Sequence, residues 1–210
     1  MIIAIDGPAG AGKSTIAKLI AEKLNITFLN SGSFYRAITL SLLRNKIPLT
    51  DANSIIEHAK KLDLDYRKSR LFLNGEDVED ILHSDAIDLN ASKVSCIVPV
   101  RHIVNDKIKL ITKKNSIVCE GRDMTTVVFP EAEYKFYLDA SIEAQARRRF
   151  NQGVSNLSIE EIAESIKKRD EIDKNKQEGS LKIAEDAHYI DTSDLTIEQV
   201  CAIILDKIHI

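Results

Sequence analysis

The apolar run Ile2-Ile3-Ala4-Ile5 passes through Asp6 into Gly7-Pro8-Ala9-Gly10-Ala11-Gly12-Lys13-Ser14-Thr15, and an amphipathic stretch begins within the same motif and continues to Leu24. A buried strand, a glycine-rich turn and a helix in immediate succession restrict the fold to one built on a parallel sheet with helices on its faces. Gly7-x-x-x-x-Gly12-Lys13-Ser14 matches the phosphate-binding P-loop, and its strand-before, helix-after context is the required one. Glycines let successive N–H groups turn inward around a phosphate, and the helix that follows adds its positive end. Lys13 can reach the β- and γ-phosphates, and Ser14 can offer its hydroxyl directly to a Mg²⁺ bridging them. Residues 7–15 are therefore read as the binding loop for ATP or another nucleoside triphosphate.

The rest of the chain keeps the same rhythm. Helices are expected over Phe34–Arg44, Asp51–Lys61 and Thr196–Ile208, the last opened by the capping box Thr196-x-x-Gln199. Strands are expected at Thr27–Leu29, Ser116–Glu120, Tyr134–Leu138 and His188–Asp191. The stretch from Leu62 to about Asn90 breaks the pattern: two or three short strand-like runs around an Asn74-Gly75 turn signal read as a β-rich insertion. At 210 residues, 44% hydrophobic and 29% charged, the chain has the make-up of a globular domain with a sizeable core. A net charge of −3 disfavours nucleic acid or a membrane surface as a general partner. Cys96, Cys119 and Cys201 form no CxxC pair and suggest reduced thiols. No stretch approaches the roughly twenty apolar residues of a membrane span, so the expectation is a cytoplasmic protein.

Three constellations suggest a second anionic ligand. In "NSGSFYRA", Ser31, Tyr35 and Arg36 fall at the start of a helix expected from about Ser33, where an arginine fork suits a phosphate monoester. In "CEGRDMTTVVFP", a strand end delivers Glu120, Arg122 and Asp123 to the carboxyl edge of the sheet, the edge at which open α/β sheets bind ligands. Glu120 stands where an acid can hold Mg²⁺ through water. The third is basic: Arg147, Arg148 and Arg149, then a helix opened by Ser158-x-x-Glu161 with an apolar stripe of Ile159, Ile162, Ala163 and Ile166. Arg169, Asp173 and Lys176 follow at helical spacing along one face. Phosphoryl transfer needs cations that close over the transferred group.

"IDGPAGAGKST", "NSGSFYRA", "FLNGEDVEDI" with "NASKVS", "PVR", "EGRDMTTVVFP", "YLDAS", "IKKRDEIDKNK" and "LTIEQV" together resemble the bacterial cytidylate kinases of the nucleoside monophosphate kinase family, nearly end to end. The resemblance implies an α/β fold of P-loop NTPase type, with a parallel five-stranded sheet flanked by helices. It implies a core of about residues 1–61, 99–150 and 177–210, a β-rich NMP-binding insertion at about 62–98, and a short helical lid at about 151–176. It implies ATP-dependent phosphorylation of CMP and dCMP with Mg²⁺, by a monomer. Carried over, Ser92, Arg101 and Asp123 would contact cytosine, while Arg36 and Arg122 would hold the acceptor phosphate with Ser31 and Tyr35 nearby. Arg169 and Asp173 would face the sugar hydroxyls, and Lys176 would bind phosphate. Lys13, Arg122, Arg169 and Lys176 would be the catalytic cations. Lys176 replaces a frequent arginine, giving a point charge in place of a fork. Ile172 also stands where the family usually has arginine, and "ILHSD" at 81–85 replaces an Ile-Arg turn. The residues alone leave open a kinase for another small acceptor, such as dephospho-coenzyme A, or a nucleotide-gated interaction module.

Overall fold

Strand β1 (Ile2–Asp6) is buried along nearly its whole length, which is why it reads as an uninterrupted apolar run. In a computed structural model, which describes residues 1–113, 115–153 and 157–209, this strand is the centre of a five-stranded parallel sheet. The sheet order is β2 (Thr27–Asn30), β6 (Ile117–Gly121), β1, β7 (Tyr134–Asp139) and β8 (His188–Asp191). The register sets Asp6 opposite Gly121 on one side and opposite Tyr137 on the other. Every crossover therefore brings the carboxyl end of a strand to one edge.

The chain divides into two compact units, residues 1–28 with 115–210, and residues 29–114. In the first, Ile3, Ile5, Phe136 and Leu138 pack with Ile16, Ala17 and Ile20 of α1 (Lys13–Leu24) and Ile204 of α8 (Ile197–Lys207). The Thr196–Gln199 capping box closes the start of α8. A smaller cluster of Ala146, Ile162 and Ile166 joins α6 (Ile142–Asn151) to α7 (Ile159–Lys174). Of the stripe expected on α7, Ile162 and Ile166 are buried, whereas Ile159 is exposed. Residues 154–156, within the segment read as a lid, lie outside the described residues.

The second unit holds α2 (Ser31–Arg44), α3 (Ala52–Lys61), an antiparallel three-stranded sheet and two further helices. Helix α2 starts at Ser31, ahead of the expected Ser33, because the Asn30 side chain accepts the Gly32 N–H and caps the turn. Strands β3 (Leu64–Arg67), β4 (Arg70–Leu73) and β5 (Glu76–Asp77) are the β-rich insertion. Asn74 and Gly75 both take positive φ, as a two-residue hairpin needs. Lys68 and Ser69 do the same between β3 and β4 without a glycine, so that turn carried no signal. The insertion turns helical sooner than its composition suggests: Ser84 caps α4 (Asp85–Val94), and α5 (Val98–Thr112) follows with Pro99 in its first turn. Cys96 is exposed just past α4, while Cys119 and Cys201 are buried and reduced. No helix among the described residues is long and apolar enough to cross a membrane.

Thr196→Ala removes the oxygen that accepts the Gln199 N–H. It is expected to cost about 1 kcal/mol, lowering the midpoint of thermal unfolding by about 2–4 °C. An unchanged midpoint would show that the box contributes nothing to α8.

Candidate active site

The loop between β1 and α1 is shaped by how closely it passes its neighbours. Gly7 has φ 150°, and a Cβ there would lie 1.9 Å from the carbonyl oxygen of Leu138 on β7. Gly10 has φ 76°, and its Cβ would meet the Gln145 side chain at 2.9 Å. Thr192, fixed by donors on Arg148, reaches the Ala11 carbonyl from behind with its hydroxyl at 3.3 Å. Arg148 thus serves the framework of the loop. Among the described residues no side chain caps α1, and its first turn carries no acid. Its leading N–H groups are left for an anion.

Lys13 is buried, and its ammonium donates to the Pro8 carbonyl at 2.6 Å. Burial, reinforced by the nearby Arg122 charge, brings its pKa down from 10.5 to about 7. The Ser14 hydroxyl donates to Glu120 Oε1 at 2.6 Å, so the two side chains read as Mg²⁺ ligands adjoin one another. Both are hard oxygen donors, which suits Mg²⁺. No cluster of three or more His, Cys, Asp or Glu among the described residues could cage a metal. A Mg²⁺ here would take protein oxygens plus substrate phosphates, the usual arrangement for that ion.

Arg122 leaves the end of β6 and donates from Nε to Asp173 Oδ2 at 2.8 Å. Lys176 reaches Asp173 Oδ1 at 2.6 Å. Helix α7 ends at Lys174, so Lys176 approaches from beyond the helix end and does not continue the face of Arg169 and Asp173. The Asp173 carboxyl is buried, which opposes ionisation, yet Arg122 and Lys176 outweigh that and hold its pKa far below 3.8. Arg169, one turn earlier, adds to the same pull and also disfavours the charge on Lys13. Three acids absent from the sequence-based candidates take part in these units. Asp170 accepts the Ala9 N–H at 3.1 Å, tying α7 to the crest of the phosphate loop. Asp6 accepts from Met124 N, Thr125 N and Thr125 Oγ1. In the other unit, Asp88 pairs with Arg36. An acid ending an otherwise apolar strand was the available signal for Asp6; nothing local marked Asp88 or Asp170.

Within the second unit, Arg36 Nε donates to Asp88 Oδ1 at 2.7 Å. Gly32 leaves room for the guanidinium, since a Cβ there would be 2.5 Å from Arg36 Nη1. Ser31 and Tyr35 are buried on the same helix. Arg101 is 2% exposed, donates from Nη1 to the Ser95 carbonyl at 3.0 Å, and lies 5.7 Å from the Tyr35 ring centre. Ser95 in turn donates to the Ser92 carbonyl, while the buried Ser92 Oγ has no hydrogen-bond partner among the described residues. Serine hydroxyls buried this deeply are normally satisfied, so this one is set for a ligand or water. Asp123 is buried in the first unit.

A five-stranded parallel sheet in this order, with a glycine-rich loop between its central strand and the next helix, defines the P-loop kinase class of fold. Solved structures bear this out: the shikimate kinase of Bacteroides thetaiotaomicron superposes with a TM-score of 0.51 at 12% identity, over 98% of this chain and 96% of that one. An uncharacterised protein from Eubacterium ventriosum gives 0.53 at 14% identity over the same shares. Sequence is more specific. The family model described as cytidylate kinase matches residues 3–210. The cytidylate kinase of Borreliella burgdorferi strain ZS7 is 42% identical over 100% of this chain and 97% of its own length. That of Caldanaerobacter subterraneus subsp. tengcongensis is 45% identical over 99% and 94%. The chain belongs to the cytidylate kinase family, and it is a kinase.

Asp173→Asn would leave Arg122 and Lys176 buried without their anion. A loss of about 3 kcal/mol in urea unfolding is expected at pH 7. Because the folded carboxyl titrates below 3.8, the native advantage is full above about pH 4 and declines as pH falls through that value. The gap between variant and parent should therefore be constant from pH 7 to pH 5; a gap below about 1 kcal/mol would deny the triad its role.

Proposed function

We propose that the chain transfers the γ-phosphoryl group of ATP, with Mg²⁺, to CMP and dCMP, giving CDP or dCDP and ADP. Membership of the cytidylate kinase family implies transfer to CMP. The observation that carries the reading to specific residues is the Ser92–Ser95–Arg101 chain, a buried cation and an unsatisfied hydroxyl linked through one main-chain turn. Such a niche suits the donor and acceptor groups of a pyrimidine edge. In this reading Ser92, Arg101 and Asp123 recognise cytosine. Arg36 and Arg122 hold the CMP phosphate beside Ser31 and Tyr35, and Arg169 and Asp173 meet the sugar hydroxyls. Residues 7–15 hold ATP. Residues 62–98 form the acceptor-binding insertion and residues 151–176 the lid of one kinase domain, acting as a monomer in the cytoplasm without nucleic acid or membrane.

Transfer is in line, without a covalent enzyme intermediate. The CMP phosphate is already an anionic nucleophile, so no general base is required. Lys13, Arg122, Arg169 and Lys176 offset the charge that develops on the transferred group, and fixed placement of the two polyanions supplies most of the remainder. Ser14 directly, and Glu120 through water, would hold the Mg²⁺, whose chemistry is to neutralise charge on the donor phosphates.

The test is ADP formation with CMP, dCMP, UMP, AMP and GMP offered separately. CMP and dCMP should support turnover, and ATP should persist when no monophosphate is added. ATP loss that is indifferent to CMP would refute the assignment. Arg101→Ala should cut kcat/KM for CMP by about 100-fold with KM for ATP unchanged, narrowing the preference over UMP. Equal losses on CMP and UMP would remove Arg101 from base recognition.

A further inference from the structure

Asp6 is the last residue of β1, its backbone runs directly into Gly7, and it is completely buried. Its carboxylate has no part in the chemistry above, yet it accepts three hydrogen bonds: Met124 N to Oδ1 at 2.9 Å, Thr125 N to Oδ2 at 2.7 Å and Thr125 Oγ1 to Oδ2 at 2.6 Å. A buried carboxylate is costly unless its oxygens are this well supplied. All three donors belong to the two residues that follow Arg122-Asp123. There the chain leaves β6 and enters a single wide turn, Met124–Val128, in which the Val127 and Val128 N–H groups both reach the Asp123 carbonyl. A wide turn of this kind has its leading N–H groups exposed to competition, and Asp6 occupies two of them. The β1–β6 register sets Asp6 opposite Gly121, immediately before Arg122. One side chain therefore joins the first residue before the phosphate loop to the turn that carries Arg122 and Asp123.

We propose that Asp6 is a positioning residue for the acceptor: by holding Met124 and Thr125, its carboxylate sets the place from which Arg122 and Asp123 meet CMP. This rests on the reading of Arg122 and Asp123 given above. Asp173 orients the Arg122 guanidinium from its far end, and Asp6 fixes the backbone at the near end. Lys13 rests on the Pro8 carbonyl and Ser14 on the Glu120 carboxylate, contacts separate from these three bonds, although the Asp6 charge also favours the Lys13 ammonium. Losing the bonds while keeping the charge, as at Thr125, falls on CMP and leaves ATP binding nearly unchanged.

The experiment measures binding of CMP and of a non-hydrolysable ATP analogue, each by calorimetry on the full chain, in Asp6→Asn, Thr125→Val and Thr125→Ser. Asp6→Asn keeps the size of the side chain but turns a donor toward Thr125. It should weaken CMP by about 10-fold or more and the ATP analogue by clearly less, because small misplacements of a charge-binding group are costly in this range. Thr125→Val deletes one of the three donors and should shift CMP in the same direction; Thr125→Ser retains the hydroxyl and should restore it. Unchanged CMP binding, or matched losses for both ligands, would overturn the proposal. If Asp6→Asn does not fold, the Thr125 pair decides alone by the same criteria. Parent protein that binds the ATP analogue but no pyrimidine monophosphate would overturn the functional reading itself, and the proposal with it.

Discussion

Positive charge stored in a buried place is the constraint on which this molecule turns. A kinase must have cations ready where polyphosphate will arrive, and those cations must be tolerated while nothing is bound. Here the tolerance is supplied locally. Asp173 takes one oxygen to Arg122 and the other to Lys176, and the three groups together bury one net positive charge where a lone guanidinium would be far less stable. Among the described residues Lys13 has no such anion in hydrogen-bond contact; it rests on a carbonyl, and burial lowers its proton affinity accordingly. Phosphate arriving at the loop would reverse that penalty. In the proposed reading, relief of that cost adds to the affinity for a polyphosphate.

The placement of these charges follows from the sheet. Strand β1 lies between β6 and β7, so its carboxyl end is flanked by the turn bearing Arg122 and by the start of the β7–α6 connection. Gly7 lies so close to Leu138 that no other residue fits without moving β7. Asp6, one residue earlier, reaches the opposite neighbour. The junction of β1 with the loop is therefore set between its two neighbours, with Gly7 in close steric contact on one side and the Asp6 carboxylate accepting three hydrogen bonds on the other. Asp170 adds a contact from α7 to the loop's crest, so that helix α7 touches the glycine-rich loop through one acid and the Arg122 cation through another.

Much of this was legible in the residues. The helix Lys13–Leu24, the strand His188–Asp191 and both capping boxes fall where periodicity and end signals put them. The regions that escaped did so for physical reasons. Helix α4 begins just after its cap Ser84, inside a stretch where the aliphatic Ile87, Leu89 and Ala91 alternate as a strand's would, and only the cap distinguishes it. The Lys68-Ser69 turn adopts left-handed backbone with residues that rarely choose it, because strand pairing on both sides demands the geometry. The wide turn after β6 has no sequence signature at all. Charged partners were the least readable: Asp88 and Asp170 gain their roles from contacts 52 and 161 residues away along the chain.

The three thiols differ in a way that has a practical side. Cys119 touches the Met124 sulfur in the interior, and burial drives its proton affinity well above the ordinary range. Cys201 is enclosed by the α8 face of the core, and Cys96 alone stands open to solvent, one turn beyond Ser92. An electrophilic dye would therefore mark a single position on the native chain without any engineered cysteine, next to the residues assigned to the pyrimidine. The fold has in effect reserved one handle for optical readout of the unit formed by residues 29–114.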